Sequence, residues 1–369
     1  MRITVLTEEF PPDVGGIGDH ADCMAAELAS RGAEISIVCP KGSDARPTFS
    51  VHGVVERWDS KGFPAIAAAV GATNPDVIVW EYNPFSIGSH GLAPRAGRLA
   101  RALASHAPLV LILHELWFPW GRDGARGFAW ALGQRLQAIG VLRAASRWIV
   151  TTEKREAELA RFGHVKLRRV SAGPTIEPDD ASGDPRRRWG IPRDAFVIAH
   201  LGSAGPGRDL APVYDAIARL GVRGIDARLL LAGNAGPLDI PSEVAARVVV
   251  TGTVARADLS AALRAADVYF HADPAGPAAG RHSSLLSALA HGIPVVAYRG
   301  PDAAPQLADG VSVRLIERGG ERLTGTLMEL AAGPAARRRI GEAGREVGDR
   351  FFSWRRIGDD LLSVFQERL

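Results

Sequence analysis

Short β-branched runs alternate with longer helical patterns along the whole chain, and no other feature limits the possible folds so strongly. A short apolar run needs hydrogen-bonded neighbours, and an amphipathic stretch needs an apolar surface to cover. Together they predict parallel sheets with helices on both faces, an α/β class. In the first half the strand candidates are residues 3–6, 35–38, 77–80, 109–113 and 148–151. Between the first two, Ile17, Ala21, Met24, Ala25 and Leu28 fall on one helical stripe, and Gly32 follows as a stop.

Residues 173–192, GPTIEPDDASGDPRRRWGIP, are rich in Pro, Gly and charge without an apolar period, and read as a linker. The alternation then restarts: strand 197–201, helix 210–220, strands 228–231 and 248–251, helix 259–265, strand 268–270, helix 285–290 and strand 294–298. The expected organisation is a domain over 1–172, a linker over 173–192 and a second doubly wound domain over 193–351. A final helix, assigned to 352–369 and with Phe351, Phe352, Trp354, Ile357, Leu361, Leu362 and Phe365 giving its apolar spacing, should pack back on the first domain. Two such domains are expected to face a central cleft, with ligands at the carboxyl ends of their strands.

A length of 369 residues suits two domains rather than one. Formal charge is only +3, and with lysine confined to Lys41, Lys61, Lys154 and Lys166 the cations are overwhelmingly arginine. Such fixed, forked charge suits phosphate or carboxylate. No run approaches the roughly 20 apolar residues of a membrane span, and residues 1–9 lack a signal-peptide core, so a cytoplasmic protein is expected. The runs Arg168-Arg169, Arg186-Arg187-Arg188 and Arg337-Arg338-Arg339 are either solvated or a peripheral contact with the inner face of an anionic membrane. Scattered and without interleaved aromatics, they give no case for nucleic acid. Cys23 and Cys39 stand apart without metal-ligand spacing; they read as reduced core fillers, and neither a disulfide nor a metal is expected.

Three loops offer chemistry. The first, Phe10-Pro11-Pro12-Asp13-Val14-Gly15-Gly16-Ile17-Gly18, opens the first helix, where glycines and a helix N-terminus suit an anion; a tight turn that binds nothing is the alternative. It lacks the GxGxxG spacing, which disfavours a dinucleotide enzyme. In the second, Leu201-Gly202-Ser203-Ala204-Gly205-Pro206-Gly207-Arg208, Arg208 reaches a phosphate with two parallel hydrogen bonds or is merely solvated. The third runs from Asp273 to Arg281-His282-Ser283-Ser284 and combines a flexible loop, a cation and two hydroxyls suited to capping a short helix.

With these pieces, and with LILHELW, VTTEKREAEL, LLLAG, VVVTGTV, ADVYF, LLSALAHGIPVV and FFSWRRIGDDLLSVF, almost the whole chain resembles the retaining nucleotide-sugar glycosyltransferases of the GT-B fold and family 4 type. The resemblance implies metal-free, cofactor-free transfer of a sugar from a nucleotide diphosphate sugar to a carbohydrate, lipid-linked or small-molecule acceptor, with retention of configuration. It implies that Gly15, Gly16, Gly202, Ser203, Arg208, Arg281, His282, Ser283 and Ser284 surround the donor diphosphate, that Val254 and Ser287 lie beside the nucleoside, and that His114, at a strand end, positions the transferred sugar. The acceptor would attack on the face the leaving group vacates, a phosphate oxygen taking its proton.

The sequence also departs from that family. Where relatives carry an arginine and a lysine after the strand, this chain has Ser203 and Arg208; where they carry two glutamates, it has Ala279 and Ser287. Arg281 and His282 are expected to return the missing charge from another side of the phosphate. Without the ribose carboxylate, a thymidine diphosphate donor becomes acceptable. The competing expectation is a degenerate relative that binds a sugar nucleotide or glycan without transfer; a sugar-nucleotide epimerase fits the C-terminal pattern poorly.

Overall fold

The structure, a computed structural model, describes residues 1–179, 183–202, 209–277 and 280–367. It divides into two compact units, Met1–Ser171 with Trp354–Leu369, and Ala172–Ser353.

The first unit is built on strands β1 (Arg2–Leu6), β2 (Glu34–Pro40), β3 (Ser50–Val55), β4 (Val77–Tyr82), β5 (Leu109–Leu113), β6 (Arg147–Val150) and β7 (Leu167–Arg169). All pair in parallel, in the order β3-β2-β1-β4-β5-β6-β7. Helices α1 (Gly16–Ser30), α2 (Phe63–Ala72), α3 (Ala96–Ala104), α4 (Gly124–Ala144) and α5 (Glu153–Gly163) connect them. Every residue of β4 and β5 is buried, which is why β5 reads as a continuous apolar run and β4 as one interrupted only by Glu81. At the end of α1, Ala21, Met24, Ala25 and Leu28 face the core and Gly32 takes φ +83°, as the stripe and stop predict.

The second unit begins with α6 (Pro185–Arg188) and carries β8 (Phe196–Leu201), α7 (Ala211–Val222), β9 (Ala227–Ala232), β10 (Val248–Val250), α8 (Arg256–Ala265), β11 (Val268–His271), α9 (Ser283–Ala290), β12 (Val295–Tyr298), β13 (Arg314–Ile316), α10 (Gly320–Ala332) and α11 (Pro334–Phe351). Its parallel sheet has the order β10-β9-β8-β11-β12-β13. Both units are therefore Rossmann-like, and each reverses its strand order once, between β1 and β4 and between β8 and β11. Ligands of open α/β sheets bind outside the strand ends at such a reversal.

The last helix, α12 (Trp354–Gln366), joins the first unit, where Trp354, Ile357, Leu361, Val364 and Phe365 bury against α1 and the outer face of the sheet. Each strand read from the sequence is present. The three absent from that reading are β3, whose exposed SVHGVV pattern lacks a clean period, and the three-residue strands β7 and β13. The segment read as a linker needs a correction as well. Its described residues belong to the second unit: Ile176 and Ile191 are buried in that unit's core, and Arg186 pairs with Asp267 at 2.8 Å. Apolar positions too sparse to show a period are enough to hold a segment that runs over a surface. Cys39 is buried, Cys23 partly so, and both are free.

Candidate functional site

At the reversal point of the first sheet, His114 follows β5 and its Nε2 bonds Oε2 of Glu81, near the end of β4. Oε1 of Glu81 meets Nδ1 of His20, from α1, at 3.1 Å. The two imidazole rings lie edge to face at 5.2 Å, and Trp354 of α12 backs His20 at 5.3 Å. Glu81 is completely buried. Burial alone would raise its pKa, but the charges and hydrogen bonds of His20 and His114 outweigh that and hold it at about 2. His114 keeps some exposure, so a carboxylate with no access to water fixes the orientation of a ring that has it. The neighbouring Glu115 is engaged by Arg155 at 2.6 Å.

The glycine loop already has a carboxylate beside it. Gly15 is the N-cap of α1, but the anion at that helix end is the chain's own: Ile17 and Gly18 N–H donate to Glu9 Oε1 at 2.7 and 3.0 Å. A Cβ on Gly15 would lie 2.3 Å from that carboxylate. The glycine is thus required by Glu9, which takes up the Ile17 and Gly18 amides, the two that follow Gly15 and Gly16. Close by, Glu8 and Trp58 line a cavity of about 710 Å³ at the strand ends. Trp80 Nε1 donates to Glu8 Oε1 at 2.7 Å, while Glu8 Oε2 and Trp58 Nε1 are buried without partners among the described residues. Burial pushes the Glu8 carboxyl well above the usual range, towards the neutral acid.

At the reversal point of the second sheet, Gly202 follows β8 with φ +85° and donates its N–H to Ala232 O. On the adjacent strand end, Asp273 meets His282 Nε2 at 3.2 Å and Arg281 Nη2 at 3.6 Å, and His282 packs on His271 with ring centroids 4.6 Å apart. Burial works against ionisation of Asp273, but His282, the Ala275 N–H and the charge of His271 hold it well below the usual carboxylate range. The N-cap of α9 is His282, without a side-chain capping bond, so Ser283 and Ser284 are the first helical residues rather than its caps. Arg281 is exposed.

Ser287 does not lie open to a nucleoside: fully buried, it donates to Ser283 O at 2.8 Å and accepts from Ile176 N–H at 3.1 Å, tying the 173–192 segment to α9. Val254 is half-buried in the loop before α8. Ser203, Arg208 and Ala279 lie outside the described residues. The arginine runs are largely engaged within the chain, Arg168 by Glu367, Arg169 by Glu153 and Glu156, Arg188 by Asp258 and Arg337 by Asp267. Sequence reading missed His20, Glu81, Glu8, Glu9 and Asp273; the available signal was a charged Glu81 inside an otherwise apolar strand. It also missed two groups whose donor atoms lie within 4.8 Å of one another, His20–Glu81–His114 and His271–Asp273–His282, ligand types that a divalent ion accepts.

A family model described as "Glycosyl transferase 4-like domain" matches residues 15–173, and one described as "Glycosyl transferases group 1" matches residues 195–332. Among curated proteins, the chain is 22% identical to the GDP-mannose-dependent alpha-(1-6)-phosphatidylinositol dimannoside mannosyltransferase of Mycobacterium tuberculosis, over 99% of this chain and 96% of the relative. It is 28% identical to the D-inositol 3-phosphate glycosyltransferase of Saccharomonospora viridis, over 100% and 94%. Among solved structures, sucrose-phosphate synthase from Thermosynechococcus elongatus superposes with a TM-score of 0.75 at 16% identity, covering 99% of this chain and 98% of that one. Anabaena Alr3699/HepE, solved in complex with UDP and glucose, gives 0.74 at 17% identity and full coverage of both. With a glycosyltransferase model on each unit, relatives along its entire length and the same architecture in solved transferases, the chain belongs to the GT-B glycosyltransferases of family 4 type.

Proposed function

We propose that the chain transfers a sugar from a nucleotide diphosphate sugar to an acceptor hydroxyl, with retention of configuration and without a resident metal. The observation that carries this reading is the start of α9. Glu9 fills the N-terminus of α1, whereas among the described residues no side chain caps the N-terminus of α9, which begins beside Arg281 and His282. Arg281 directly precedes this helix start, its guanidinium lying 3.6 Å from Asp273, and uncapped amides next to a guanidinium in sequence are groups that suit a diphosphate. As the bond from the anomeric carbon to the diphosphate oxygen breaks, its electron pair stays on that oxygen, and Arg281 and the α9 amides stabilise the growing charge. The acceptor hydroxyl attacks the same face and gives its proton to the departing oxygen. His114, oriented by Glu81, positions the sugar.

In the metal-free reading the two carboxylates serve to orient imidazoles, each Glu81 oxygen holding a histidine and Asp273 holding His282. The cavity at Glu8 and Trp58 is proposed as the acceptor subsite, a neutral acid and an indole N–H serving as hydrogen-bond partners for sugar hydroxyls.

Release of nucleoside diphosphate from a panel of donors tests the transfer. Arg281→Ala is expected to slow it roughly ten- to hundredfold, the worth of one charge-assisted hydrogen bond. Tight nucleotide binding with no release by the wild type would leave the non-transferring reading instead. At the acceptor subsite, Glu8→Ala is expected to raise the acceptor KM about tenfold and leave donor hydrolysis unchanged, and Glu8→Gln, which keeps a neutral donor and acceptor, to restore it. Equal KM values for wild type and Glu8→Ala would remove Glu8 from the subsite.

A further inference from the structure

Residues 95–147 hold eight arginines against two acids, in a chain whose net charge is only +3. Helices α3 and α4 cross in this stretch with Gly97 against Gly140, where a Cβ on Gly97 would meet the Gly140 Cα at 3.1 Å. That close approach brings Arg98 and Arg101 of α3 and Arg143 of α4 around one cavity of about 480 Å³, lined also by Leu136 and by no carboxylate. None of the three arginines has an ion-pair partner among the described residues, whereas Arg168, Arg169, Arg186, Arg188 and Arg337 of the arginine runs are paired.

Beside the cavity, α4 presents an apolar ridge to solvent. Phe128, Leu132, Leu136 and Ile139, spaced by four, four and three residues, are exposed by 57, 44, 62 and 42%. The opposite side of the helix, including Ala131, Ala138 and Val141, is buried in the first unit. Trp120, 48% exposed, lies against Phe128 with ring centroids 5.0 Å apart and extends the ridge towards Arg122 and Arg126. Four apolar side chains in a row on the outer face of a helix lower its solubility unless something covers them.

We propose that this face of α3 and α4 docks on an anionic lipid surface, the ridge entering the headgroup boundary while Arg98, Arg101 and Arg143 hold a lipid phosphate in the cavity. An apolar face flanked by unpaired cations is the composition that binds such an interface, each arginine near the surface strengthening attachment several-fold. The inference does not rest on sugar transfer.

Co-sedimentation of the full chain with vesicles tests it. Binding is expected to vesicles of phosphatidylcholine with 30% phosphatidylglycerol and not to phosphatidylcholine alone, and it should weaken steeply with added salt. The triple variant Arg98→Gln, Arg101→Gln, Arg143→Gln should lower partitioning roughly a hundredfold. Leu132→Ser with Leu136→Ser should lower it while leaving circular dichroism and donor hydrolysis unchanged. Four results would overturn the proposal: equal binding to neutral vesicles; wild-type partitioning by the arginine variant; displacement from vesicles by millimolar inorganic phosphate, which would mark a free-phosphate site; or a solution dimer that the serine variants dissociate while vesicle binding is absent.

Discussion

Replacing Glu81 with alanine is expected to cost the first unit about 3–5 kcal/mol, because it leaves His20 and His114 around a buried space that has lost its compensating charge. Glu81→Gln preserves the volume and isolates the electrostatic part. Held at about 2 against an ordinary value near 4.5, the carboxyl binds its proton more readily in the unfolded chain than in the folded one. Its contribution to stability is therefore complete above about pH 4.5 and is lost as the pH falls towards 2, a difference of about 3 kcal/mol across that window. Urea midpoints at pH 6 and pH 3 should converge less for wild type than for Glu81→Gln, whose stability lacks this component at both. If the acid-induced loss is the same for both proteins, Glu81 is not an ionised partner of the two histidines. In turnover, Glu81→Gln is expected to lower kcat about ten- to a hundredfold, as losses of an orienting partner behind a functional histidine do.

The second large effect concerns α11. Gly341, Gly344 and Gly348 face α9 and the turn after it, and a Cβ on Gly341 would stand 2.0 Å from the carbonyl oxygen of Gly292. Neither atom belongs to a side chain that can rotate away. Alanine normally gains about 1 kcal/mol over glycine inside a helix; here overpacking against backbone, at about 1–3 kcal/mol or more, outweighs it. Gly341→Ala should therefore lower the melting point of the second unit by several degrees. It should also weaken nucleotide binding, since α11 packs on the far end of the eight-residue α9 and a shift there is carried to its start. Gly325→Ala on α10, with nothing within 4 Å of the added carbon, is the control and should stabilise by about 0.5–1 kcal/mol. Equal melting points for the two variants would contradict this account of the α9–α11 contact.

The sheets were legible because strands buried on both faces leave apolar runs, unbroken in β5 and broken by one polar residue in β4 (Glu81) and in β8 (His200). His114 was legible as a polar residue closing such a run. Its partners were not: His20 and Glu81 are 61 residues apart, and Glu81 and His114 are 33 apart, so only the adjacency of β4 and β5 beneath α1 unites them. The glycine loop shows a different limit, since the same residues permit a helix end to receive a ligand phosphate or, as here, the carboxylate of Glu9. Ser287 aligns with a family position, but alignment carries no information about burial, and its hydroxyl is committed to the backbone.

The crossing of α12 into the first unit has a consequence for biosynthesis. Trp354, Ile357, Leu361, Val364 and Phe365 complete a core whose other buried members lie before residue 171. On the ribosome, the whole second unit emerges before that cover does. The later-encoded lobe is therefore free to reach its native packing while the earlier one still waits with the sheet face beside α1 only partly covered, reversing the usual order in which domains mature during translation.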